Sequence, residues 1–242
     1  MPEGVARVRA NNPSPYTLDG TNTWIAGRDP AWVVDPGPAI PAHVEAVAAV
    51  VAGRGGAGGI ALTHDHPDHA EGAEAMRDAL GGPPVAAMRW PGATAPLADG
   101  ARFGPLTALH VPGHAEDHVV LVAGDGAFTG DAVLGLGSVF IAPDGGSLGA
   151  YLDGLRRLRA LGLARLYPGH GPVIEDPAAK LDEYVAHRLE RERRILAAWA
   201  AGARTDEELL AGAWDAIPPG LELPAAWTLH AHLDKLRAEG RI

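Results

Sequence analysis

The chain contains no cysteine in its 242 residues. That absence removes disulfides, thiolate nucleophiles and thiolate zinc ribbons, so any metal must be held through nitrogen and oxygen. No predicted strand ends in the Gly-x-Ser-x-Gly elbow that would announce a serine nucleophile. Long apolar runs are also lacking. None approaches the roughly 18–20 residues that span a bilayer, and the stretch Met1–Pro15 has no apolar core of a secretory signal, so the expectation is a cytoplasmic protein. Basic charge is in the minority, with 20 Lys and Arg against 30 Asp and Glu and a formal net charge of −10. Nucleic-acid contact would therefore need a local basic patch or bound cations.

What is present reads as a soluble globular protein, 47% hydrophobic and 21% charged. The length allows one sizeable core and a small second domain. Apolar runs predict strands at Val5–Ala10, Thr23–Ala26, Trp32–Val34, Ile60–Thr63, Val85–Met88, Leu106–Val111, His118–Val122, Ala127–Thr129 and Arg165–Tyr167. Helical spacing predicts helices at Pro41–Gly53, Ala70–Leu80 and Ser147–Leu161, the last capped by Ser147. Alternating elements with close hairpins imply a mixed sheet covered by helices, an α/β (α+β) class. The last third differs. Pro177–Gly202 predicts one long helix, Thr205–Trp214 opens with a capping sequence, Pro218-Pro219-Gly220 breaks the chain, and Ala225–Glu239 closes it. Two short helices after a long one resemble a helix-turn-helix or winged-helix unit.

The strongest chemical signal is His64-x-His66-x-Asp68-His69, between a buried strand and a helix. Alternate residues of an extended segment share one side, so His64 and His66 can grip one ion. Asp68 and His69, where the chain turns, can reach a second. Three later residues follow predicted strands in the same way: His114 after Val111-Pro112-Gly113, Asp131 after Thr129-Gly130, and His170 within Tyr167-Pro168-Gly169-His170-Gly171. Glycines let the backbone approach a crowded centre.

This constellation resembles the metallo-β-lactamase superfamily. The resemblance implies a four-layer αββα sandwich over residues 1–176, followed by a small helical, winged-helix-like domain over 177–242. It implies that His64, His66 and His114 bind one metal, that Asp68, His69 and His170 bind the other, and that Asp131 bridges them. Asp68 and Asp131 are the expected catalytic carboxylates. The segment from Asn12 to Thr23, His170-Gly171-Pro172, Tyr184-x-x-His187-Arg188 and the terminal helices resemble the β-lactamase-like protein 2 group. Relatives of that group include single-strand-specific endoribonucleases and thioester hydrolases.

The implied activity is that of a binuclear hydrolase in which a metal-bound hydroxide attacks an ester, thioester or phosphodiester. Zinc is the first choice of cofactor, two divalent ions in all, with Mn2+ and Fe2+ as alternatives. The implied partners are a small-molecule ester or thioester, or single-stranded RNA. A mononuclear iron dioxygenase is a further alternative. True β-lactamases of the best-known zinc branches use a cysteine that is absent here, and His66 stands where flavodiiron reductases carry glutamate. Arg188, Arg191, Arg193 and Arg194 interleave with Glu190 and Glu192, which reads as a solvated helix face rather than an RNA track. Residues 203–242 hold seven acidic and four basic side chains, which argues against DNA binding. The tail then serves as a lid, pocket wall or dimer contact, and a homodimer stays open. His118 reads equally as a proton donor, a partner of the ligands or a structural strand residue, and Asp35 as a support for the ligands. Tyr16, Thr21 and Asn22 could line the pocket. His43, His110, His187, His230 and His232 read as structural or exposed, and Asp65 as an exposed loop residue.

Overall fold

The computed structural model describes residues 4–141 and 147–242. A first sheet runs in the order β1 (Val5–Arg9), β2 (Asn22–Ala26), β3 (Ala31–Val34), β4 (Ala57–Ala61), β5 (Val85–Ala87) and β6 (Ala95–Pro96). Its first two pairings are antiparallel, and β3 through β6 are parallel. The second sheet runs β11 (Arg165–Pro168), β10 (Gly126–Gly130), β9 (Val119–Ala123), β8 (Leu106–His110) and β7 (Arg102–Phe103).

Three apolar layers hold these sheets between helices. Helices α1 (Pro41–Ala52) and α3 (Ala73–Ala79) cover the outer face of the first sheet, where Val44, Val47 and Met76 pack against Ile25, Val33 and Ile60. Trp24, Val34, Ala61, Leu121, Phe128 and Tyr167 fill the space between the sheets. Helices α4 (Leu148–Ala160) and α5 (Pro177–Ala200) cover the second sheet, with Tyr151, Leu155 and Leu158 buried against Val120 and Leu166. The spacing of Leu148, Leu152, Leu155 and Leu158 is that of one helical face, and the Ser147 hydroxyl caps it by accepting from the Ala150 amide at 3.0 Å. This is the expected αββα sandwich.

Apart from shifts of a few residues at strand ends, three features differ from expectation. The helix predicted over Ala70–Leu80 is split into α2 (Pro67–Ala70) and α3, because Gly72 donates its N–H to the Gly37 carbonyl at 2.9 Å and a Cβ there would lie 2.8 Å from that oxygen. The last helix, α7 (Glu222–Ala238), starts before Ala225 because Pro224 falls in its first turn, where no amide is needed. Strands β6 and β7, two residues each, are too short to leave a periodic signal.

Helix α5 spans two cores. Leu181 and Tyr184 pack with the second sheet, while Ile195 joins Leu209, Leu229, Leu233 and Leu236 in a separate cluster with α6 (Asp206–Ala213) and α7. Among the described residues, 201–242 are helices and loops without a strand. Among them also, no helix is long and apolar enough to cross a membrane.

Candidate metal centre

Topology brings the seven singled-out side chains to one rim. Strands β8 and β10 both run antiparallel to β9, and β11 runs parallel to β10, so the carboxyl ends of β8, β10 and β11 lie on the same side. His114, Asp131 and His170 follow those three ends, and the His64–His69 loop follows β4 of the other sheet. Ligand-type atoms meet there in three overlapping groups: His64, His66 and His114; His64, His69 and Asp131; and Asp68, His69 and His170. Within each group the atoms lie within 4.8 Å of one another.

Hydrogen bonds around the rim fix which ring nitrogen faces inward. The Asp35 carboxylate accepts from the His69 Nδ1–H at 2.9 Å, which turns His69 Nε2 toward the cluster. The Thr63 hydroxyl donates its only hydrogen to Asp35 at 2.9 Å, so it must accept from His64 Nδ1–H, also at 2.9 Å. His114 Nδ1–H donates to the Phe140 carbonyl at 3.2 Å and His170 Nδ1–H to the Gly20 carbonyl at 3.4 Å. Four imidazoles thus turn Nε2 inward, and His66 adds Nδ1, which lies 3.1 Å from His64 Nε2 and 3.0 Å from His114 Nε2.

These nitrogens crowd against one another at 3.0–3.3 Å, closer than five imidazoles would gather for packing alone. Asp131 makes the point sharply. Its Oδ1 is buried without a hydrogen-bond donor, although His69 Nε2 and His170 Nε2 lie 3.4 and 3.3 Å away. Its Oδ2 lies 3.5 Å from His114 Nε2. Donors bound to a tetrahedral ion at about 2.0–2.1 Å are separated by about 3.3 Å. The spacing and the nitrogen–oxygen donor set therefore suit a divalent metal.

Electrostatics divides the cluster in two. Burial pushes the His114 ring down to about 4 despite the Asp131 carboxylate. Burial, reinforced by the neighbouring rings of His69, His118 and His114, holds His64 well below its ordinary value. Burial also acts on His170, but Asp131 and Asp68 overcome it and raise the ring to about 9. Asp68 goes the opposite way, to about 2, because His69 and His170 outweigh its burial.

The surrounding residues resolve several open readings. His118 is fully buried, and its Nε2 accepts from the Asp131 amide at 3.1 Å, so it positions Asp131. Asn22 donates to the Pro168 and Gly171 carbonyls at 3.0 and 2.9 Å, fixing the loop that carries His170. Thr21 reaches Asp68 at 3.4 Å. Tyr16 lines the adjoining cavity. Asp65 is exposed, and His43 is buried on the Thr23 hydroxyl at 2.8 Å. Thr63 escaped sequence reasoning. A threonine before a histidine motif is ordinary strand sequence, and only the fold shows its hydroxyl between Asp35 and His64.

A cavity of about 340 Å³ opens beside Asp131. Leu134 and Phe140 line it together with Trp214, Ile217, Leu221 and Thr228 of the carboxyl-terminal region. Arg188 and Arg191 reach into it from α5. This corrects the expectation of a uniformly solvated arginine face. Only Arg193 and Arg194 are held in surface pairs, by Glu190 at 2.6 Å and Asp215 at 2.8 Å.

Two facing sheets flanked by helices, with histidines and aspartates gathered at their common rim, define a known class. Residues 89–170 match the model of the metallo-β-lactamase superfamily. A β-lactamase-like protein 2 homologue of Drosophila melanogaster is 30% identical, covering 100% of this chain and 90% of that one. An atrochrysone carboxyl ACP thioesterase of Aspergillus chevalieri is 35% identical over 80% of this chain and 65% of its own. Among solved structures, a metallo-β-lactamase family protein from Thermus thermophilus superposes with a TM-score of 0.73 at 25% identity, covering 98% of this chain and 94% of that one. The protein TTHA1623, solved in a di-iron-bound form, superposes with a TM-score of 0.58 at 26% identity over 72% of this chain and 96% of its own. The chain belongs to the metallo-β-lactamase superfamily, within the group of the β-lactamase-like protein 2 homologues. A hydrolase-like function follows from that membership.

Proposed function

We propose that this protein is a binuclear metal-dependent hydrolase that cleaves an ester or thioester bond. The observation that carries the reading is a largely apolar cavity ending on Asp131, whose Oδ1 is buried without a hydrogen-bond donor amid crowded imidazoles. His64, His66 and His114 would hold one ion and Asp68, His69 and His170 the other. Asp131 spans the two groups through its separate oxygens. Zinc fits the nitrogen and oxygen donors, and the di-iron-bound neighbour makes iron the natural comparison. Two divalent ions, when bound, supply Lewis acidity that lowers the pKa of water toward 7 and stabilises an oxyanion.

The chain's own groups set up the rest. The cavity wall from the helical unit after residue 177 seats the acyl group with its carbonyl toward Asp131 and excludes bulk water. Asp68, ionised at neutral pH and only partly buried, accepts a hydrogen bond from the incoming water. His118 and Asp35 act through Asp131 and His69, keeping their donor atoms aimed. Water adds to the acyl carbon, the carbon–sulfur or carbon–oxygen bond breaks, and the proton released from water ends on the departing thiol or alcohol.

Single-stranded RNA is the rival substrate. It gains little here, because Arg193 and Arg194 are occupied by carboxylates and Arg188 and Arg191 line a largely apolar cavity. The test is metal-loaded protein assayed in parallel on an acyl thioester and on single-stranded RNA, with His66→Ala and Asp131→Ala as controls. Thioester turnover that both substitutions abolish is expected. RNA cleavage lost in both variants, without thioester turnover, would overturn the reading.

A further inference from the structure

The cavity holds a feature that hydrolysis alone does not require. Its walls are apolar, yet Arg188 and Arg191, from consecutive turns of α5, place two guanidinium groups in them. Other cations of α5 and its neighbours are paired: Lys180 with Glu183, Arg193 with Glu190, Arg194 with Asp215, and Lys235 with Glu192. Among the described residues, Arg188 and Arg191 have no carboxylate within 4.0 Å. Arg188 is only 2% exposed. It donates to the Val139 carbonyl and lies 5.8 Å from the Tyr151 ring, while its Nε–H has no acceptor. Arg191 donates to the Ala213 carbonyl, stacks on Trp214 at 4.1 Å and lies 3.2 Å from His187.

Polar atoms near them are unpartnered too. His232 sits one helical turn after the cavity-lining Thr228 on α7 and is fully buried, with neither ring nitrogen partnered. Nδ1 of His187 is unpartnered as well. A guanidinium offers five donors and no acceptor, and a buried cation normally finds a counter-ion. A donor-rich floor in an otherwise apolar cavity lacks one component, an anion.

We propose that Arg188 and Arg191 bind a carboxylate carried by the acyl part of the substrate. The preferred substrates are then apolar acyl thioesters or esters bearing a negative charge on the group that enters the cavity. The guanidinium fork matches a carboxylate in two parallel hydrogen bonds, while Phe140, Trp214 and Ile217 contact the apolar body. The inference rests on the ester or thioester reading above, but its central contact can be tested apart from turnover.

The kinetic arm compares adipoyl, hexanoyl and 6-aminohexanoyl thioesters of N-acetylcysteamine, which share a linear chain and end in a carboxylate, a methyl and an ammonium group. The adipoyl thioester should exceed the hexanoyl one by about tenfold or more in kcat/KM, chiefly through KM, and the aminohexanoyl thioester should be poorest. Arg191→Met should collapse the adipoyl preference, and Arg191→Lys should restore part of it. Arg188→Lys keeps the charge in the core if the neutral variant does not fold. The binding arm titrates adipate and, separately, inorganic phosphate into chelator-stripped protein by calorimetry, so that no metal can hold the anion. Adipate binding that weakens about tenfold or more in Arg191→Met supports the proposal even if no thioester is hydrolysed, in which case the hydrolase reading alone falls. Hexanoyl turnover equal to adipoyl, a preference that survives Arg191→Met, or phosphate binding without adipate binding would overturn it.

Discussion

Replacing Asp35 by asparagine changes one atom's hydrogen-bonding sense at the back of the metal centre. The Asp35 side chain accepts from Thr63 N–H at 2.8 Å, from the Thr63 hydroxyl at 2.9 Å and from His69 Nδ1–H at 2.9 Å. An asparagine oxygen can keep the first of these. Its NH2 group then faces His69 Nδ1–H, donor against donor. The ring escapes by moving its proton to Nε2, the atom that faces Asp68 and Asp131 at 3.4 Å. A protonated Nε2 cannot ligate, so the ion of the Asp68, His69 and His170 group should bind about 10–100-fold more weakly. That corresponds to about 1.4–2.8 kcal/mol. The assay is calorimetric titration of zinc into chelator-stripped protein, with circular dichroism to confirm folding. One weakened equivalent and one near-normal equivalent are expected. Asp35→Ala differs by leaving the Thr63 amide buried and unpaired, which adds about 1–3 kcal/mol of lost stability. A folded Asp35→Asn protein that takes up both ions at parental affinity would refute the tautomer argument.

Two further substitutions test packing and charge. In Gly169→Ala the new Cβ would lie 2.5 Å from His69 Cε1 and 2.8 Å from Asp131 Oδ1, so the protein should fold yet lose metal by at least about tenfold, at a stability cost of about 1–3 kcal/mol. Full metal retention after dialysis would contradict this. Burial, with Arg188 and Arg191 nearby, lowers His232 to about 3. Its folded pKa is depressed below the unfolded value of about 6.5, so the unfolded chain binds more protons and stability falls as pH drops from about 6.5 toward 3. His232→Leu should flatten that acid limb by up to about 1.4 kcal/mol per pH unit in urea titrations without ligand. An unchanged slope would show that the ring is solvated.

The layered fold was legible because its signals are local. Apolar runs ending in Thr63-His64, Gly113-His114, Gly130-Asp131 and Gly169-His170 mark strand ends, and strand ends with ligand residues mark a rim. The motif spacing located the donor atoms for the same reason. What escaped depends on contacts distant in sequence. Nothing local says that Gly72 must admit the Gly37 carbonyl, or that the Thr63 hydroxyl couples Asp35 to His64. The arginines show the limit best. Alternating charges at 188–194 suggest a wetted face, but a helix of 24 residues wedged between two cores turns one side of that pattern inward.

Under the proposed function, reactivity and selectivity are encoded in different stretches of this chain. The candidate ligand atoms follow strand ends before residue 171, whereas much of the adjoining cavity is shaped by residues 187–228. Drift in the later stretch can then reshape what is admitted while the ligand set stays untouched. Grafting residues 187–228 from one relative onto another is thus a route to new acyl preferences that begins from intact chemistry.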